Sequence, residues 1–71
     1  MRFKTEKRGY DLSLEQDLLG DFVLIRYWYG LTNRRHGMKT QIFNDVNEAN
    51  DKFNTLVNMR LHKGYRVISK S

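Results

Sequence analysis

Cysteine and proline are both missing from this 71-residue chain. Without cysteine there is no disulfide, no thiolate nucleophile and no cysteine-ligated zinc, which fits a reducing compartment. Apolar residues nowhere run on for the ~20 positions that a bilayer-spanning helix requires. The first residues, MRFKTEKRG, are charged and lead into no apolar signal core. A soluble, cytoplasmic protein with no membrane contact is therefore expected. Glycine-rich phosphate loops are lacking too, since neither GxGxxG nor a strand–loop–helix phosphate motif occurs. The two histidines, His36 and His62, have no partner at metal-ligand spacing, and Ser13 has no base near it in the chain. Asp17 and Asp21 read as turn residues rather than as a catalytic pair. The expectation is no enzyme, no metal, no cofactor and no small-molecule substrate.

What the chain does have is unevenly placed charge, with a net value of +5. Residues 1–9 carry Arg2, Lys4, Lys7 and Arg8 against Glu6 alone. Residues 10–25 reverse this, with Asp11, Glu15, Asp17 and Asp21 and no cation. Residues 26–43 hold Arg26, Arg34, Arg35 and Lys39 and no acid, together with the single tryptophan. Clustered cations create a local positive potential suited to polyanions. The same clusters also fit a small domain that stays soluble by carrying charge.

Hydrophobic spacing outlines the fold. Tyr10, Leu12 and Leu14 alternate with Asp11, Ser13 and Glu15, the mark of a half-buried strand. In DFVLIRYWYG, Phe22, Leu24, Arg26 and Trp28 fall on one face, and Val23, Ile25, Tyr27 and Tyr29 on the other. Bulk on both faces predicts a central strand, paired with the first through a turn at Leu18–Asp21. MKTQIFND alternates again after the loop LTNRRHG and predicts a third strand. From Val46 to about His62 the period becomes helical, with an apolar stripe through Val46, Ala49, Phe53, Leu56, Val57 and Met59 or Arg60. Asn44 or Asp45 is placed to cap this helix, Asp45 and Glu48 have capping-box spacing, and Gly64 is placed to end it. GYRVIS predicts a closing edge strand. The expected fold is α+β: a small antiparallel sheet of about four strands with one helix on one face, in the order β-β-β-α-β. Residues 1–9 are expected to be a flexible basic arm, and residues 10–69 a single domain.

Nucleic-acid binding requires cations for phosphates and flat rings for bases or sugars. Arg26 and Trp28 enter the basic loop on one strand, Arg34, Arg35 and His36 lie within it, and Lys39 leaves it on the next. Pattern alone also allows Trp28 as a core residue and Arg34–Arg35 as a solvated turn. Aromatic residues with arginine equally mark protein interfaces, so a protein-interaction module is the competing reading.

The runs LLGDFVLIRYWYGL, NRRHGMKTQIF and EANDKFNTLVNMRLHKGY resemble the WGR domain. That module is named for a Trp-Gly-Arg motif and occurs in poly(ADP-ribose) polymerases and in small bacterial proteins. Gly20, Arg26, Trp28, Gly37, Lys39, Phe43, Ala49, Phe53, Gly64 and Tyr65 carry the pattern, from Tyr10 to Tyr65. The signature itself departs: Trp28 is followed by Tyr29 and Gly30, so the motif arginine is absent from its place. Arg34 and Arg35, a few residues on, are the candidates for an equivalent cation. In the polymerases the domain grips DNA near a strand break, with the tryptophan on the terminal nucleotide. The resemblance therefore implies DNA rather than RNA, Trp28 as a stacking residue, and Arg34, Arg35 and Lys39 as phosphate contacts. The arm cations Arg2, Lys4, Lys7 and Arg8 would extend that contact. The polymerases' relay to a catalytic domain is not expected in a chain of this size.

Overall fold

Five strands, not four, make up the sheet of this protein. A computed structural model describes residues 1–70 and places β1 at Arg2–Lys4, β2 at Arg8–Gln16, β3 at Phe22–Gly30 and β4 at His36–Phe43. Helix α1 spans Val46–His62 and β5 spans Arg66–Ser69. The sheet is antiparallel with the order β4-β3-β2-β1-β5, so β3 is interior while β4 and β5 are its edges.

The additional strand corrects the reading of residues 1–9 as a flexible arm. Phe3 is fully buried, opposite Tyr10 on β2 and Val67 on β5. Its burial in the core gives this three-residue segment a reason to pair, despite the cations on either side of it. Residue Met1 also joins in, as its N–H groups donate to the Leu12 carbonyl at 2.6 Å.

The helix has the expected limits because both ends are capped. Asp45 Oδ1 accepts from the Asn47 N–H at 2.8 Å, one residue earlier than the Glu48 N–H of a capping box. At the far end Gly64 takes φ +87°, which favours glycine, and two bonds close the last turn. They run from the Gly64 N–H to the Leu61 carbonyl and from the Tyr65 N–H to the Arg60 carbonyl, both at 3.1 Å. Ala49 and Leu56 are buried against the sheet, with Phe53 and Val57 packed beside them. Of the pair Met59 or Arg60, it is Arg60 that continues the stripe, whereas Val46, in the first turn, is exposed rather than packed on the sheet. Phe3, Tyr10, Leu12 and Leu24 complete the core from the sheet side. Replacing a fully buried leucine such as Leu24 with alanine costs roughly 2–5 kcal/mol in cores of this kind.

The register separates two ends. Lys4 faces Arg66, Arg8 faces Gly30 and Tyr29 faces His36, so the β1–β2 turn, the β3–β4 loop and the C-terminus of α1 share one end. Gln16 faces Phe22, and Phe22 faces Phe43, which puts the β2–β3 turn and the N-terminus of α1 at the other.

Candidate nucleic-acid interface

Strand alternation sets up the site. Residues directly opposite in antiparallel strands share a face. Trp28 lies between Tyr10 on β2 and Gly37 on β4, and Arg26 lies between Leu12 and Lys39. Tyr10 and Leu12 are core residues under the helix, so Arg26, Trp28 and Lys39 are on the helix side of the sheet, beyond the helix's cover. The glycine opposite Trp28 is what seats the indole. A Cβ at position 37 would lie 2.5 Å from the ring, so the indole occupies the space that the missing side chain leaves over the backbone. It remains 41% exposed, which makes it a surface ring held in place rather than a core residue.

The neighbouring cations are positioned by local bonds. In the β3–β4 loop, Asn33 Oδ1 accepts from the Arg35 N–H at 3.0 Å, and the Gly30 N–H donates to the Arg35 carbonyl at 2.8 Å. The Leu31 N–H donates to the Lys7 carbonyl at 2.9 Å, which clips this loop to the β1–β2 turn. That turn is itself closed around Thr5, whose Oγ1 accepts from the Arg8 N–H at 3.0 Å. From the helix, Arg60 lays its guanidinium over the Tyr10 ring at 4.0 Å and near Tyr65 at 5.4 Å. The result is a groove of about 460 Å³ walled by Arg26, Trp28, Asn33, Arg35, Arg60 and Tyr65, among others. No acid lines it. Lys39 stands beside it, directly opposite Arg26. Like charges in that relation destabilise a sheet, and no ion pair among the described residues relieves this one.

Of the residues expected at the site, Arg26, Trp28 and Arg35 meet at one groove and Lys39 adjoins it. Arg34 is exposed in the loop and does not line the groove. His36 belongs to the opposite face, where its ring lies 6.4 Å from that of Tyr27. Arg60 was not among the expected residues, although an arginine on the helix's apolar stripe is a visible irregularity. Arg8 was assigned to the arm and proves to be part of the groove wall.

The arrangement is that of a small sheet-and-helix module with a basic, aromatic groove at one end. Its family is the WGR domain, whose family model matches residues 3–71, and the chain belongs to that family. WGR domains are a nucleic-acid-binding type of module and are not themselves catalytic. No curated protein and no solved structure matches the chain. The match begins at Phe3, so it takes in the strand that the resemblance read from sequence left out.

Proposed function

We propose that this domain binds DNA through the Trp28 groove. The observation that carries the reading is a half-exposed indole seated against Gly37, with Arg26, Arg35 and Arg60 around it and no acid among the described lining residues. A base or ribose stacks on Trp28, and the arginines take the flanking phosphates with their paired donors. The preference for DNA over RNA rests on the resemblance to the polymerases that carry this module. Arg35, which lines the groove, is the better stand-in for the absent motif arginine than Arg34.

The test is anisotropy of a labelled nicked DNA duplex, with an RNA hairpin in parallel, across a salt series. With four to six phosphate contacts expected, the log–log slope on duplex DNA is about −4 to −5, from roughly −0.9 per contact. A flat salt response would reject the reading, and tighter binding of the RNA would reject the preference.

One observation favours a second reading. On the helix-free face, Met38 and Ile42 are 66% and 65% exposed beside Tyr27, an apolar patch that suits a protein partner. A complex anchored there would lose much less affinity to salt than the DNA complex.

A further inference from the structure

The Trp28 groove shares a wall with a second and larger one, of about 760 Å³. Arg8, Arg60 and Tyr65 line both. Beyond that wall the second groove is lined by Lys7 from the β1–β2 turn, Lys63 from the helix C-cap and Arg66 from the start of β5. Glu6 is the one acid there. None of these cations is neutralised within the fold, because the single ion pair among the described residues is Arg2 with Asp11 at 3.7 Å.

A structural reason accounts for only part of this cluster. Arg60 and Lys63 sit at the negative end of the α1 dipole and are favourable there on their own account. Lys7, Arg8 and Arg66 come from other elements, and bringing them to the same concavity adds self-repulsion that Glu6, the single acid among the lining residues, offsets only in part. Arg60 adds an independent sign. Its guanidinium carbon lies 4.0 Å from the centre of the Tyr10 ring and 5.4 Å from that of Tyr65, which holds the group at the junction of the two grooves. A fork held in this way loses little freedom when it takes an anion.

We propose that the second groove is a phosphodiester-binding track, joined to the Trp28 groove through Arg60. The nucleic-acid backbone runs on past the residue stacked on Trp28, Arg60 holds a phosphate at the junction, and Lys7, Lys63 and Arg66 hold those beyond. This inference rests on the nucleic-acid reading given above. The track takes backbone rather than bases, since Tyr65 is the only ring in its lining and Arg60 already lies near it.

The test uses the full chain and a Lys7→Ala/Lys63→Ala/Arg66→Ala variant, in which all three altered side chains are exposed. A labelled nicked duplex is titrated across a salt series, with Trp28 fluorescence followed in parallel. The track predicts an unchanged Trp28 response at saturation, a loss of affinity of roughly tenfold or more at low salt, and a slope shallower by about 2 to 3. Arg60→Lys keeps the charge but not the fork, and is expected to reduce affinity part of the way. Wild-type affinity and slope in the triple variant, with the Trp28 response intact, would overturn the track and leave the first groove standing. Absence of both binding and a Trp28 response in the wild-type chain would overturn the nucleic-acid reading and the track with it. Tripolyphosphate serves as the free-anion arm. Weak competition supports a phosphodiester, whereas strong competition without a Trp28 response would mark a free polyphosphate site and overturn the proposal.

Discussion

The two ends of the sheet are built alike, each from a strand turn, a loop and one end of the helix, yet they use charge in opposite ways. At the β2–β3 end two of the acids, Asp17 and Asp45, are occupied by the chain itself. Asp17 Oδ1 accepts from the Leu19 and Asp21 N–H groups, both at 2.9 Å, and Asp45 caps the helix. At the β1–β2 end the cations Lys7, Arg8, Arg35, Arg60, Lys63 and Arg66 have no carboxylate partner among the described residues. The first set of charges is used to close turns and start a helix. The second is left facing outward around two grooves. That difference, more than net charge, separates a binding end from a structural one.

Removing the ring at the basic end is expected to have the largest effect. Trp28→Ala should cost roughly 1–3 kcal/mol of DNA binding, or about 5- to 150-fold, by loss of stacking. Thermal unfolding by circular dichroism should show the fold retained, because the indole is a surface ring.

A matched pair of glycine substitutions sharpens the contrast between the two faces of β3. Gly37→Ala puts a methyl group 2.5 Å from the indole and must displace it, so Trp28 emission should shift and DNA affinity fall several-fold. Gly9→Ala does the same to Tyr29, whose ring a Cβ there would meet at 2.1 Å. On that helix-free side the expected cost is stability, about 1–3 kcal/mol from overpacking, with DNA binding by the folded protein preserved. Denaturant unfolding together with a binding isotherm separates the two outcomes. Equal loss of binding in both variants would erase the distinction between the faces.

Smaller still is the contrast within the loop. Arg35→Ala should flatten the salt slope by roughly 0.9, while Arg34→Ala, outside the groove, should leave it nearly unchanged. The reverse order would exchange the two arginines in the account.

The smallest effect belongs to the acidic end, where Leu18 and Leu19 form an almost fully exposed tip. Leu18→Ser with Leu19→Ser should change stability by no more than about 0.5 kcal/mol and leave DNA affinity alone. A clear loss of binding there would contradict the assignment of the ends.

Much of this was legible in the chain because the deciding signals are local. Asp45 and Gly64 bracket the helix, and the alternation in FVLIRYWYG assigns Arg26 and Trp28 to one face and Tyr27 and Tyr29 to the other. The strand at Arg2–Lys4 was not legible, since three residues with one apolar side chain show no period. Its pairing depends on Tyr10 and Val67, the latter more than sixty residues away in the sequence. His36 is expected at the site as part of the basic loop, whereas the β3–β4 register sets it opposite Tyr29, on the other face. Arg60 fits an apolar stripe only as an exception. Its meeting with Tyr10 and Tyr65 follows from how the helix docks on the sheet, which no local pattern encodes.

The most direct test of the central claim is an amide chemical-shift titration with a short nicked DNA duplex, at low and then physiological salt. The account predicts shifts centred on the Trp28 indole, residues 33–39 and the turn at residues 5–8, weakening with salt, while residues 17–21 stay still. Shifts confined to residues 17–21 or to the helix-free face, or silence at both salts, would contradict it.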